Sequence, residues 1–204
     1  AENAYTLVAQ DTLLTEAESR NGWTILPFDE LTPRWKALRV DGISLLEKTS
    51  AVENYPLVIP LVLDSPTRRE TLELLELPAK AFVNRDAEAM TLVAMTGVTA
   101  MTRGTSRLME NKGVTYITQD VRDWLVNADI AHISNELSYL SNHTPEPGGS
   151  MSLASHDKYI EALEDIGADV IELTGNHLVD RGIEPLRRTL QMYRDRGWKW
   201  YGGG

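Results

Sequence analysis

The sequence contains no cysteine, so its 204 residues form no disulfide framework, no thiolate metal site and no thiol nucleophile. No apolar run approaches the roughly 20 residues of a membrane-spanning helix. The N-terminus, AENAYTLVAQ, lacks the basic and apolar parts of a signal peptide, so the chain is expected either to be cytoplasmic or to have lost a leader. Acidic residues outnumber basic ones by 30 to 20, and the net charge of -10 argues against nucleic acid and anionic lipid as general partners.

The residues that are present are typical of a globular protein, with 42% hydrophobic and 25% charged side chains. The length suits one medium domain or two small ones and is enough to bury a core. The sequence pattern changes near residue 88. We therefore predict a small α+β segment over residues 1–88 and an α/β domain over residues 89–204.

The first segment carries weak signals of extended structure. Residues 23–28 and 37–40 are predicted strands. The prolines within residues 55–63 confine that apolar run to an edge strand or an irregular extended segment. Residues 67–81 are predicted to form a helix that ends near Pro78.

Strands and helices alternate in the second part of the chain. Short apolar runs predict strands over residues 91–96, 129–134, 169–174 and 198–201. Apolar stripes with helical spacing predict helices over residues 121–128, 159–166 and 183–193, the first two with Thr118 and Ser155 as N-caps. This β-α-β-α-β-α-β order predicts a layered, mostly parallel sheet with helices on both faces.

Polar residues follow three of these strands. The first strand runs into Thr96-Gly97-Val98, the second ends in Ser134-Asn135-Glu136, and the third leads into Gly175-Asn176-His177 with Asp180 close behind. The carboxyl ends of parallel strands meet at one edge of a sheet, where ligands usually bind. A carboxylate, an amide oxygen and an imidazole at that edge indicate a hard-metal or phosphate site.

Four ordered blocks carry a family resemblance. They are Thr96-Gly97-Val98, Ala128-Asp129-Ile130 through Ser134-Asn135-Glu136, Gly175-Asn176-His177-x-x-Asp180-x-Gly182, and Tyr201-Gly202-Gly203. Residues 91–204 thereby resemble the first half of the bacterial capsule-synthesis CapA family, also called poly-γ-glutamate capsule biosynthesis (PGA_cap) proteins. That family is similar to the calcineurin-like metallophosphatases. The resemblance implies the first half of such a fold, truncated at the C-terminus.

The resemblance also implies roles for four residues. Glu136, Asn176 and His177 would be metal ligands, Asn176 through its amide oxygen. His177 would contact a phosphoryl or acyl oxygen and act with Asp180 in catalysis as a general acid. The cofactor implied for the full-length protein is a divalent metal, Mn²⁺ or similar.

Three positions depart from the family pattern. Val98 stands where the family has its metal-binding aspartate, and Ser134 stands where it has an asparagine. Gly175 replaces the first asparagine of the third block. Because valine cannot ligate a cation and further family ligands lie beyond Gly204, we expect this chain alone to be inactive.

Simpler structural roles compete with the functional ones. The alternative for Asn176 and His177 is a simple turn, with Asn176 in a left-handed conformation and His177 capping the following helix. The alternative for Glu136 is a solvated residue at the end of a strand. Asp180 can be an N-cap or first-turn residue of the helix that begins at Ile183.

Other polar residues are assigned structural or surface positions. His132 lies inside a predicted strand and is expected to pack in the core. His143 and His156 are expected at the surface. Arg103 and Arg107 follow the first strand and can meet an anionic ligand, although a solvated helix face is the simpler interpretation.

Two functions follow from these observations. The first is an extracytoplasmic CapA-family protein of capsule or envelope polymer biosynthesis, which would perform metal-assisted hydrolysis or transfer on an envelope polymer or a small anionic substrate. The second is a non-catalytic module that binds a polymer or peptide or assists envelope assembly.

Residues 1–88 loosely resemble the closing segment of a periplasmic solute-binding protein lobe, which fits a secreted, periplasmic or cell-surface location with the leader absent. A truncated parallel sheet would expose an unpaired edge, so we also expect a homo-oligomer.

Overall fold

A computed structural model describes residues 5–60 and 83–203 of the chain. Its contacts divide the chain into two compact units, Ala1–Met90 and Thr91–Gly204. The helix predicted over residues 67–81 and the end of the proline-containing run at residues 55–63 lie outside the described residues.

The first unit contains one α-helix among its described residues, α1 (Leu13–Arg20), and short 3-10 turns. The two strands predicted here are wrong. Residues 23–28 join no sheet, and residues 37–40 contribute only a single bridge between Val40 and Ile43. Trp23 is 79% exposed. A strand is stabilised by its neighbours, and no neighbour among the described residues pairs with these runs.

The second unit is an α/β fold built on a parallel sheet, and the predicted fold class is confirmed. The four strands of the main sheet lie in the order β1-β2-β5-β6, and every neighbouring pair is parallel. Two shorter strands, β3 and β4, form a second parallel pair. The elements in chain order are β1 (Val93–Thr99), α2 (Arg103–Lys112), α3 (Arg122–Val126), β2 (Ile130–Asn135), β3 (Tyr139–Leu140), β4 (Ser155–His156), α4 (Glu161–Asp165), β5 (Val170–Leu173), α5 (Ile183–Asp195) and β6 (Lys199–Gly202).

The core lies between the helices and one face of the main sheet. Ile133 of β2 and Ile171 of β5 are completely buried in the middle of this face. The helices contribute apolar side chains to the same cluster, namely Met109, Leu125, Leu163, Leu186 and Tyr193. Burial of this continuous apolar surface is the main favourable term for folding of the unit.

The two faces of the sheet are covered unequally. Successive strand residues point to opposite faces, so the face opposite Ile133 carries His132 and its neighbours. Met95, Val98 and Tyr201 on the outer strands of that face are 68%, 69% and 50% exposed. His132 itself is buried, as predicted, and its Nε2 lies 2.8 Å from the Tyr201 hydroxyl. The described helices contribute to one core cluster, which includes Ile133 and Ile171.

β1 and β6 are the outer strands of the described sheet. Outer strands present main-chain donors and acceptors to other chains. Association through such an edge stays a prediction.

Helix beginnings differ from the sequence prediction at two positions. Thr118 does not cap α3, because its hydroxyl donates to the Asp165 carboxylate at 2.5 Å. Ser155 lies in β4, where its hydroxyl donates to the Met101 carbonyl at 3.0 Å. The ring of His156 caps the following turn instead.

Replacement of Tyr193 by phenylalanine is expected to lower the free energy of unfolding by about 1–3 kcal/mol. Asn135 and Tyr193 are both completely buried, and the amide Nδ2 of Asn135 donates to the Tyr193 hydroxyl at 2.8 Å. The variant leaves this N–H without its acceptor inside the core. Urea unfolding of the whole chain measures the change.

Tyr139→Phe is the matched control for that variant. Tyr139 is also completely buried and packs edge-on against Tyr193, with ring centroids 6.4 Å apart. Its hydroxyl has no hydrogen-bond partner among residues 5–60 and 83–203. Its removal should therefore be neutral or stabilising, and equal destabilisation by both variants would contradict the assignment.

Candidate functional site

The predicted polar strand ends lie along one edge of the main sheet. Val98 at the end of β1 is in register with Ser134 in β2. Glu136 follows β2 directly, and its N–H donates to the Thr99 carbonyl at 3.1 Å. The turn at residues 175–177 follows β5, which is the other neighbour of β2. The parallel order thus brings all three blocks to the same edge.

Gly175 brings the turn into contact with Glu136. A Cβ added at Gly175 would lie 2.5 Å from the Cα of Glu136 and 2.8 Å from its carbonyl oxygen. Real Cβ atoms do not approach main-chain atoms so closely, so only glycine fits this position. The next residues are also joined, because Leu137 and His177 form a parallel bridge.

His177 and Asp180 form a hydrogen-bonded pair. The Nδ1 of His177 lies 2.6 Å from the Oδ2 of Asp180, and the two side chains are 18% and 19% exposed. Because a carboxylate can only accept a hydrogen bond, Nδ1 carries the proton. In this tautomer, Nε2 is the ring nitrogen left to meet a ligand.

A second donor fixes Asp180 in place. The N–H of Leu153 donates to the same Oδ2 at 2.9 Å. Burial raises the pKa of Asp180, whereas the hydrogen bonds from Leu153 and His177 lower it. The lowering is the larger effect, so the pKa lies below its usual value. The alternative that Asp180 is the N-cap of α5 is wrong, because Gly182 occupies that position. The carboxylate instead orients the imidazole.

Asn135 supports the site, although the sequence did not distinguish it from its neighbours. Its amide Nδ2 donates to the Leu137 carbonyl at 2.7 Å as well as to Tyr193 in α5. These bonds fix the backbone on both sides of Glu136. The side chain of Asn176, by contrast, belongs to an exposed residue of the turn.

The predicted metal ligands are brought to one edge, but their number is small. Glu136 offers a carboxylate, Asn176 an amide oxygen and His177 a ring nitrogen, whereas Val98 offers no donor. Within residues 5–60 and 83–203, no group of three or more histidine, aspartate or glutamate side chains is arranged to hold a metal ion.

A buried carboxylate next to the site was missed by the sequence analysis. Glu146 is only 4% exposed. Its Oε2 accepts from the Thr102 hydroxyl at 2.6 Å, and its Oε1 accepts from the Ala154 N–H at 2.9 Å. The only sequence signal was a lone carboxylate between two prolines, in the run Pro145-Glu146-Pro147.

His143 lies beside this carboxylate, with its Nε2 3.0 Å from the Oε1 of Glu146. The side chain of His143 is 10% exposed, so its predicted surface position is wrong. Burial raises the pKa of Glu146, but the hydrogen bond from the Thr102 hydroxyl and the nearby His143 ring contribute to a larger lowering, so the pKa lies below its usual value.

Comparison with known families identifies the second unit. A family model for the bacterial capsule synthesis protein PGA_cap matches residues 92–204, which is more than half of the chain. The chain belongs to this family. The PGA_cap segment includes every strand end described above, and the resemblance seen in the four sequence blocks is confirmed. No curated protein matches the chain.

The PGA_cap match leaves the finer roles of individual residues as predictions. Two sets of roles stay predictions: catalysis by His177 and Asp180, and metal binding by Glu136, Asn176 and His177.

Within the described residues, no helix has the length and apolar character needed to cross a membrane.

Proposed function

We propose that this capsule synthesis protein acts on an anionic polymer of the poly-γ-glutamate type, or on its precursor, with His177 at the reacting phosphoryl or acyl centre. The observation that carries the proposal is the pair formed by His177 and Asp180 at the carboxyl edge of the sheet, with an Nδ1–Oδ2 distance of 2.6 Å. Such an oriented imidazole is the usual group for proton transfer at near-neutral pH.

The chain's own residues divide the work at this site. Asp180 accepts from Nδ1 and holds the ring in one tautomer and one orientation. The Nε2 atom then exchanges a proton with the substrate: in the protonated ring it donates to the substrate oxygen as a general acid, and in the neutral ring its lone pair accepts a proton as a general base. Gly175 keeps the turn against Glu136, so the carboxylate and the imidazole stay at the same strand ends.

This chain supplies some of the ligands that a divalent metal such as Mn²⁺ would need. Glu136 and Asn176 would offer oxygen donors of the kind that Mn²⁺ prefers, and a metal there would polarise the reacting oxygen. Val98 lies in β1, on the other side of β2 from the turn that carries His177. It is 69% exposed and supplies no ligand. The chemistry proposed for this chain's own residues is that of His177 and Asp180.

A non-catalytic binding or assembly module is the second candidate function. Val98 favours it, since that position bears no ligand although it lies beside Ser134 at the site's edge. In either case we place the protein in the extracytoplasmic part of the cell envelope, secreted, periplasmic or at the cell surface, because that is where a capsule polymer is assembled. An oligomer formed through a sheet edge would be compatible with both functions.

Hydrolysis of a generic phosphodiester with Mn²⁺ tests the proposal. The full-length protein should hydrolyse the diester, and His177→Gln should lower the rate by about 100-fold. His156→Gln is the control, because the His156 ring accepts from the Lys158 N–H at the start of the following turn and has no assigned role in the chemistry, so its loss should leave the rate unchanged.

Val98→Asp separates the two candidate functions in the same experiment. If the edge is organised around a metal, the new carboxylate should raise Mn²⁺ affinity, measured by titration calorimetry. Absence of hydrolysis, together with no effect of His177→Gln on Mn²⁺ affinity or on polymer yield in cells, would refute the proposal. Polymer binding without hydrolysis would favour the binding module.

A further inference from the structure

Three arginines gather around one loop, residues 142–152, although the chain as a whole carries a net charge of -10. Each donates to a main-chain carbonyl of this loop, and the first two lie on helix α2, where Arg107 is exposed as expected. The pairs are Arg103 with Ser150, Arg107 with Glu146 at 3.4 Å, and Arg181 with Ser152 at 3.0 Å. The loop therefore concentrates positive charge on one side of the unit.

The two carboxylates in this neighbourhood offset part of that charge but not all of it. Glu146 is buried and accepts from Thr102 and Ala154, and its Oε1 also lies 3.4 Å from the Arg181 guanidinium, so it offsets part of the charge of that arginine. Asp180 already accepts from Leu153 and His177. Three guanidinium groups against two engaged carboxylates leave the region positive before any histidine is counted.

The arginines also keep donors for a ligand. A guanidinium has five N–H groups, and Arg107 and Arg181 each use one nitrogen for the contacts above. Both residues are exposed. Arginine matches the planar geometry of carboxylate and phosphate oxygens better than lysine does.

Arg103 is held in a strained conformation. Its φ angle is +50°, in the left-handed region that costs a non-glycine residue free energy. Its Nε atom is buried and has no acceptor among residues 5–60 and 83–203. Strain together with an unpaired buried donor is common at ligand sites and is not explained by the loop contact alone.

The same loop connects the arginines to the proposed catalytic pair. The hydroxyl of Ser152 donates to the Asp180 carbonyl at 3.3 Å, and the Ser152 carbonyl accepts from Arg181. A ligand bound by the arginines would thus lie next to the turn that carries His177.

We propose that Arg103, Arg107 and Arg181 form a binding surface for a polyanionic chain, whose repeating charge is a carboxylate or a phosphodiester. This inference rests on the proposed function and names its substrate class. Successive anionic groups of the polymer bind successive guanidinium groups, and one polymer unit is thereby presented to His177. The arginines are positioning residues and take no part in proton transfer.

Fluorescence anisotropy with labelled polymers tests this surface in the whole chain. Poly-γ-glutamate represents the carboxylate polymer, polyglycerol phosphate represents the phosphodiester polymer, and dextran is the neutral reference. At least one anionic polymer should bind and dextran should not, and the preferred one identifies the charged group. Arg107→Gln and Arg181→Gln should each raise Kd about tenfold.

Arg187→Gln is the matched control, since this arginine is 68% exposed on α5 and pairs with Glu184. It should leave Kd unchanged, whereas Arg181→Lys, which keeps the charge, should restore part of the affinity that Arg181→Gln loses. Equal weakening by Arg187→Gln and Arg181→Gln would overturn the inference, as would absence of binding to both anionic polymers. Normal diester hydrolysis without polymer binding would overturn this inference alone, and binding without hydrolysis would overturn only the proposed chemistry.

Discussion

Replacement of Gly175 by alanine is expected to lower the free energy of unfolding of the second unit by about 3 kcal/mol. The new Cβ would lie 2.5 Å from the Cα of Glu136 and 2.8 Å from its carbonyl oxygen. Main-chain atoms next to a buried strand cannot rotate away as a flexible side chain can, so the turn itself must move. Hydrogen exchange of the Ile133 amide, in the buried strand β2, measures the loss within this unit.

Gly97→Ala is the matched control for Gly175→Ala. Gly97 lies in β1 near the same edge of the sheet, but a Cβ added there would meet no atom within 4 Å. Its replacement should change stability by less than about 0.5 kcal/mol. The ring resonances of His177 should shift in Gly175→Ala and stay in place in Gly97→Ala. Unchanged hydrogen exchange in Gly175→Ala would contradict the close approach.

The main sheet could be predicted from sequence because each strand is a short apolar run bounded by turn residues. The strands predicted over residues 129–134 and 169–174 correspond to β2 and β5, with ends that differ by one residue. Both strands lie in the interior of a parallel sheet, where apolar residues occupy both faces and the signal is strong.

The same reasoning failed where burial does not follow the local pattern. Residues 23–28 have the composition of a strand but find no pairing partner among the described residues. Helix α2 was anticipated only through the solvated helix face assigned to Arg103 and Arg107. Its bounds were not predicted, because only Ser106 and Met109 of its ten residues are buried, which leaves almost no apolar stripe. Helix α1 was missed for the same reason, since none of its residues is buried.

The candidate site was predictable in its residues but not in their contacts. The order of the blocks placed Glu136 and His177 at strand ends, and the parallel sheet brings those ends together. Whether Asp180 caps a helix or orients His177 depends on where the distant Leu153 N–H lies. Such a contact depends on the path of a loop 27 residues away in sequence, which no local pattern determines.

Replacement of Glu146 by leucine is expected to lower the free energy of unfolding by about 3–5 kcal/mol. The carboxylate is 4% exposed, and its loss leaves the Thr102 hydroxyl and the Ala154 N–H without acceptors in a buried place. Arg181 would also lose a partner whose Oε1 lies 3.4 Å away. Glu146→Gln keeps the size and one acceptor oxygen, so it should cost less, about 1–3 kcal/mol. Urea unfolding compares the two variants.

Glu184→Gln provides the surface control for both Glu146 variants. Its side chain is 75% exposed, and its ion pair with Arg187 is solvated. The change should therefore stay within about 0.5 kcal/mol. A loss in Glu146→Leu no larger than in Glu184→Gln would show that the buried contacts do not stabilise the unit.

The stability that Glu146 provides should also depend on pH. Its pKa lies lower in the folded state than the usual value of about 4.3, so the unfolded state binds more protons between the two values. The contribution is complete above the usual value and is lost as the pH falls through the lowered one. Glu146→Gln should therefore be less sensitive to acid than the natural sequence, although Asp180, whose pKa is also lowered, keeps part of the dependence. Parallel unfolding curves at pH 7 and pH 3 measure this difference, and an identical loss in both proteins would contradict the assignment because the variant lacks the Glu146 carboxylate.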